Sequence, residues 1–249
     1  MKRRAVALVI AAASIAALAR PVAAGEPRAV IELFTSQGCS SCPAADKLLG
    51  ELTHDSSLIA LSLPVDYWDY LGWKDTLALH GHTLRQRAYA AARGDRAVYT
   101  PQIVVNGMVH VLGSDKAAID KAIAQTRAQA SAPLRVPVDL SVANGKVTVT
   151  LPASETVRGK ADVWLCPVAS KIPVNVKHGE NGGHTLTYYD VVRRWVKLGE
   201  WSGKAQTFSL PVSDVRKGEN DVDRIAVLVQ SELDGKPGVM LGAAATNLQ

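Results

Sequence analysis

From residue 29 to about residue 130 the apolar positions of the chain switch repeatedly between two periods. Val30, Ile31, Leu33 and Phe34 form an apolar run of strand character. The run breaks at Gln37-Gly38. Residues 44 to 52 then place Ala45, Leu48, Leu49 and Leu52 on one helical stripe, with Lys47 and Glu51 facing away. After Ser56-Ser57, residues 58 to 65 are almost continuously apolar, as expected of a parallel strand covered on both faces. The crossover between these two strands is long enough for a right-handed parallel connection. Residues 75 to 93 read as a second helix that Gly81 could divide and Gly94 ends. Leu77, Leu84, Ala88 and Ala91 form its expected buried stripe, and Arg85, Arg87 and Arg93 its solvated face. Asn106-Gly107, between apolar residues 103–105 and 108–111, marks a hairpin. An Ala-rich helix carrying Ile119 and Ile123 follows from Ser114, its expected N-cap, to about residue 129. The order is β-α-β-α-β-β-α.

Beyond Pro133 the pattern becomes strand alone. Val136, Val138, Leu140 and Val142 alternate, Asn144-Gly145 turns, and Val147, Val149 and Leu151 continue. Further strands are expected at residues 161–168, 185–198, 205–212, 225–230 and 239–244. This predicts an α/β domain over residues 25–131 and an all-β, sandwich-like domain over residues 132–249, joined at Ser131-Ala132-Pro133.

The N-terminus stands apart. Lys2, Arg3 and Arg4 precede an uncharged run over residues 5–19, and Val22-Ala23-Ala24 supplies small residues before a cut. Basic flank, short apolar stretch and small residues read as a signal peptide over residues 1–24, cleaved after Ala24. The expected location is periplasmic or secreted. The leader holds four of the 28 Lys and Arg and no acid, which leaves 24 basic against 23 acidic side chains, a net of +1. The basicity of the whole chain is therefore no nucleic-acid footprint, and neither nucleic acid nor, after cleavage, a membrane is an expected partner.

Export changes how the cysteines read, because an oxidising compartment lets a Cys-x-x-Cys pair exist as a disulfide. Cys39 and Cys42 follow the first strand and open the first helix. Unpaired N–H groups and the positive end of the helix dipole lie there and favour a thiolate, the attacking form. Pro43 suits the first helical turn. Cys166 is left over, in a strand-like segment, and reads as a small buried hydrophobe. The second strand delivers residues 66–75, dense in aromatics and carboxylates, to the same end of the sheet, where ligands gather. There Trp68 and Trp73 would wall the dithiol, and Asp66 or Asp69 would take a proton from Cys42. The alternative is that the tryptophans pack on the next helix and the aspartates cap it. The segment from His178 to His184, with two histidines, Glu180 and three glycines, reads as a flexible loop, although the same residues form a metal-ligand set.

The element order, the Cys39-Ser40-Ser41-Cys42 pair at a helix start and the Thr100-Pro101 step before a hairpin resemble the thioredoxin-like superfamily. That resemblance implies a cis proline against the dithiol, Cys39 as attacking thiol, Cys42 as resolving thiol and Thr100-Pro101 as substrate platform. Leu33-Phe34-Thr35-Ser36-Gln37-Gly38-Cys39, Val65-Asp66-Tyr67-Trp68-Asp69 with Leu71-Gly72-Trp73, Tyr99-Thr100-Pro101-Gln102 and Gly179-Glu180-Asn181 are similar to an exported family catalogued as domain of unknown function 1223. Unlike thioredoxin, Gly38 precedes the first cysteine and Ser-Ser lies between the two, so the direction of transfer is not readable.

The leading expectation is an exported thiol–disulfide oxidoreductase acting on a protein or small thiol. It needs no organic cofactor but does need a partner that recycles the pair. Two alternatives keep the same residues. One is a copper(I) module using Cys39 and Cys42 with His80, His82 or His110. The other is a non-catalytic binding protein with a structural disulfide.

Overall fold

The computed structural model describes residues 26–129, 133–155 and 159–248. The expected leader lies outside them, as does the expected join apart from Pro133.

Strands β1 (Ala29–Thr35) and β2 (Leu58–Pro64) are parallel neighbours, and every residue of both is buried. Helix α1 (Cys42–Leu52) connects them and, with a later helix over Lys116–Ala128, covers one face through Ala45, Leu49, Ile119 and Ile123 packed on Ile31, Leu33 and Ile103. After β2 the chain makes one 3-10 turn (Asp69–Leu71). Helix α2 (His80–Arg93) begins five residues later than expected, because the Asp75 carboxylate accepts the Leu77 and Ala78 N–H groups and holds a turn there. Strand β3 (Gln102–Val105) is antiparallel to β1 and turns through Asn106 and Gly107, at φ 52° and 72°, into β4 (Val109–Leu112). Helix α3 (Lys116–Ala128) is capped by Asp115, one residue beyond Ser114.

The remaining elements are β5 (Asp139–Ala143), β6 (Lys146–Leu151), β7 (Ala161–Asn175), β8 (Thr185–Val192), β9 (Val196–Trp201), β10 (Gln206–Pro211), the short α4 (Val212–Arg216), β11 (Arg224–Leu233) and β12 (Lys236–Asn247). The protein is thus a mixed α/β structure with a large mixed sheet and a second antiparallel sheet. The large sheet runs β12-β11-β7-β8-β2-β1-β3-β4, with β9 added on β7; the second is β10-β6-β5. The expectation of a self-contained β-sandwich needs correction. Strand β8 pairs parallel to β2 at Ser62 and Val191, so most of the later strands extend the first half's sheet. A strand buried on both faces cannot leave its edge unpaired, and β8 supplies that partner. Sandwich packing survives locally, where Val147, Val149 and Leu151 of β6 face Val163, Leu165, Val227 and Val229.

Strand β7 is long enough to pair with β9 through its first residues and with β8 through its last. The β7–β8 hairpin crosses α1 where Gly50 stands. A Cβ there would lie 2.5 Å from the Tyr189 ring, so any larger residue would force that ring to shift.

Helix α2 does not show the expected apolar stripe. Leu84 and Ala91 are exposed and Ala88 half-buried, whereas His82, Thr83, Gln86 and Tyr89 face inward. The cause is Glu32, wholly buried in β1. Arg85, expected on the solvated face, donates to Glu32 through Nε at 2.6 Å and through Nη2 to Tyr89 and Gln230. The Tyr89 hydroxyl donates to Glu32, and Gln230 donates to Tyr89. An ionised carboxylate in this position requires its counter-charge. Cys166 lies buried and free in the adjoining core, its thiol pushed up by burial. Glu32→Ala, which strands the Arg85 charge, is expected to lower stability by about 3–5 kcal/mol, read as a fall in the urea midpoint.

Candidate functional site

Two tight turns carry the chain from β1 into α1. The Cys39 N–H donates to Ser36 O and the Cys42 N–H to Cys39 O, each at 3.2 Å. They bring the two Cα atoms to 5.4 Å, and the sulfurs form a disulfide. Cys42 is the first residue of α1, and Pro43 falls in the turn whose N–H groups need no helical acceptor. Cys39 lies just ahead of the helix. It is 4% exposed and Cys42 0%, so a reagent meets Cys39 first.

The loop after β2 approaches this turn closely. A Cβ on Gly38 would lie 3.1 Å from Trp68 Cβ and 3.2 Å from Trp68 O. The Trp68 indole N–H donates to Thr100 Oγ1 at 2.7 Å, and the Thr100–Pro101 bond is cis. Trp68, Thr100 and Pro101 are therefore brought together beside the cysteine loop. Trp73 acts one step removed: its indole N–H donates to Gln37 Oε1 at 2.8 Å, two residues before Cys39. Gln37 is fully buried, and its backbone N–H donates to Asp75 Oδ2 at 2.7 Å.

The two aspartates expected to serve Cys42 are engaged elsewhere. Asp66 accepts from Thr83 at 2.5 Å and lies 2.8 Å from His80 Nδ1; although partial burial opposes ionisation, these contacts hold its carboxyl below the usual value. Asp69 accepts the Asp75 N–H at 3.0 Å. Asp46, which the sequence reading passed over, is better situated. It stands four residues after Cys42 on α1, and helical side chains lean toward the N-terminus, so the two share a face. Asp46 is buried, and among the described residues no hydrogen bond of good geometry reaches either carboxyl oxygen, the Thr35 hydroxyl being near but poorly aligned. Burial holds it well above the usual carboxylate range; the Thr35 hydroxyl offsets part of this and the Asp75 charge adds to it. Asp75 is itself pushed up to about 6 by burial, against the N–H donors of Gln37 and Leu77. A patterned search for apolar stripes skips an inward carboxylate, and its place one turn after Cys42 was the available signal.

The second half of the chain completes the site. Asn181, 7% exposed, donates through Nδ2 to Gln37 O and Cys39 O, both at 2.9 Å. The Ser40 N–H donates to Glu180 Oε2 at 3.2 Å. Gly179 fits against Trp73, where a Cβ would lie 3.3 Å from Trp73 Cβ. The loop that could be read as a metal-ligand set is thus a clamp on the cysteine turn. The histidines considered for copper are occupied with other groups: His80 with Asp66, His82 with Pro64 O, and His110 with Tyr99 and Asp95. Among the described residues no three His, Cys, Asp or Glu side chains gather as a metal site. Asn181→Ala is expected to cost about 1–3 kcal/mol of stability and to speed reduction of the Cys39–Cys42 bond by dithiothreitol, followed by thiol alkylation.

The family described as "Protein of unknown function (DUF1223)" matches residues 30–230. A protein of Agrobacterium tumefaciens, known from its crystal structure, is 36% identical, with 88% of this chain and 94% of that one covered and a TM-score of 0.78. HBP35 of Porphyromonas gingivalis has a similar fold at 12% identity and a TM-score of 0.58, covering 90% of this chain and 76% of its own. No curated protein matches the chain.

Proposed function

The chain belongs to the DUF1223 family, and from that premise we propose that it is an exported thiol–disulfide oxidoreductase whose redox centre is the Cys39–Cys42 couple. The observation that carries this reading is a disulfide at the start of α1 beside the cis Thr100–Pro101 step. The reading of residues 25–131 as thioredoxin-like is supported by the order β1-α1-β2-α2-β3-β4-α3 and by that proline. Periplasmic or secreted location rests on the basic, apolar and small-residue pattern of residues 1–24.

In this mechanism a substrate thiolate attacks Cys39 Sγ and breaks the Cys39–Cys42 bond; the electron pair leaves on Cys42 Sγ. A second substrate thiolate then attacks the substrate sulfur of the mixed disulfide and releases Cys39. Two substrate thiols become one disulfide, and the protein gains two electrons and two protons. The reverse sequence reduces a substrate disulfide, and a redox partner restores the couple in either case. Cys42 leaves into a buried setting where a thiolate is costly. Asp46, whose neutral form that same burial favours, is suited to give Cys42 a proton and to take it back in reverse. Trp68, Thr100 and Pro101 form the platform for the substrate, and the Asn181 clamp fixes the Cys39 carbonyl.

Cys39→Ala should abolish exchange with a glutathione redox buffer, and the native pair should equilibrate with that buffer at a defined potential; a pair that never reduces in the folded protein would end the enzyme reading. Asp46→Asn is expected to slow ring opening about 10²-fold. In the native protein the proton-donating form of Asp46 is present below its raised folded pKa and lost as pH rises through it. That limb of the pH–rate profile should vanish in the variant while the thiol count stays unchanged.

A further inference from the structure

A concavity lies away from the disulfide, and none of the residues that build the disulfide site lines it. It encloses about 370 Å³ between α2, β7 and the β11–β12 hairpin, within the range of small-molecule sites. Its walls are Leu84, Ala88, Trp164, Trp195 and Pro237, with Arg85 among them. Trp164 and Trp195 meet edge to face with centroids 6.0 Å apart. The Arg85 guanidinium lies 4.2 Å from the Trp195 ring centroid and 4.9 Å from that of Tyr89, so it is held flat and cannot swing away. Its side chain is 10% exposed. Nε and Nη2 hold Glu32, Tyr89 and Gln230, whereas Nη1 makes no hydrogen bond among the described residues and is not sealed from solvent. The guanidinium charge is paired with Glu32, and Nη1 is the one nitrogen of this fixed group left to donate into the aromatic cavity.

The rim adds discrimination. Lys236 contributes a second cation. Of the two rim carboxylates, Asp162 is neutralised by Lys197 at 2.7 Å, and Glu232 accepts the Gly235 N–H at 3.2 Å. We propose that this cavity binds a small aromatic carboxylate, its planar body between the two tryptophans and Leu84, its carboxylate on Arg85 Nη1. An aromatic acid matches both features: the walls accept a flat apolar body, and charge-assisted hydrogen bonding to a fixed guanidinium selects the acid. The site is independent of the redox reading and would stand if that reading failed.

The test uses the full purified protein and three bicyclic probes of similar size, followed by isothermal titration calorimetry. 2-Naphthoate should bind saturably with one site per chain. 2-Naphthalenemethanol, which keeps the rings and lacks the charge, should bind at least about tenfold more weakly. 2-Naphthyltrimethylammonium should not bind. Ala88→Trp, on the half-exposed side of α2, should fill the cavity and abolish naphthoate binding while leaving circular dichroism and the Cys39–Cys42 potential unchanged. Absence of saturable naphthoate binding, equal affinity for all three probes, preference for the cation, or naphthoate binding that survives Ala88→Trp would each overturn the assignment. Because the probe series is run on the native protein, it decides the matter even if the variant fails to fold.

Discussion

A hairpin crossing a helix at a single glycine is the constraint on which the candidate site depends. The β7–β8 hairpin is tied to the first half's sheet at Ser62 and Val191 and passes over α1 at Gly50, where any side chain would strike the Tyr189 ring. The same hairpin carries the loop at 178–184 to the cysteine turn. Once there, the two hydrogens of one primary amide are used on two consecutive-turn carbonyls, those of Gln37 and Cys39. The Cys39 carbonyl also accepts the Cys42 N–H, so Asn181 adds a second donor there and a side-chain donor at Gln37, each such bond contributing about 0.5–1.5 kcal/mol. The local conformation of the disulfide is thereby set by a residue about 140 positions away.

Burial then shapes the chemistry in two opposite ways. It withdraws Cys42 from solvent and makes its thiolate expensive, which by itself would slow opening of the bond. The same burial pushes the Asp46 carboxyl, one helical turn on, well above the usual carboxylate range. In the proposed reaction, two groups disfavoured as anions by the same surroundings would exchange the proton. Asp66 could not serve in this way, since Thr83 and His80 favour its charged form.

What could be read from the sequence was what local periodicity encodes. The β1–α1–β2 unit, the Asn106-Gly107 hairpin and the Cys39–Cys42 pair each rest on neighbours within a few residues, and each was legible. Trp68 was expected beside the cysteines because two parallel strand ends point the same way, whereas the place of Thr100-Pro101 followed from the thioredoxin-like resemblance. The face of α2 was misread because its inward side is polar: one buried carboxylate, Glu32, outweighs the apolar pattern of Leu84, Ala88 and Ala91 and turns Arg85 inward. Glu32 sits within an otherwise apolar strand, and that misfit was the only advance sign. The joining of β8 to β2 carries no local mark, since an edge strand and a paired strand have the same alternation. Asn181 was visible only as a word in a glycine-rich loop.

These misreadings have a common physical origin, and it bears on how the two halves relate. Glu32 and Arg85 come from the first half, but Gln230, which bridges Arg85 and Tyr89, comes from β11. Gly107, in the first half's hairpin, faces the Gly238 carbonyl so closely that a Cβ would lie 2.2 Å from it. The Asn106 carbonyl accepts the Met240 N–H. Buried polar groups of the first half are thus satisfied by backbone and side chains of the second, and the converse holds at Asn181. A boundary drawn by the change from alternating helix and strand to strand alone follows the local code, whereas polar satisfaction follows the sheet. Where the two disagree, satisfaction of buried groups decides the architecture, because each unmatched group costs on the order of 1–3 kcal/mol against a total stability of only about 5–15.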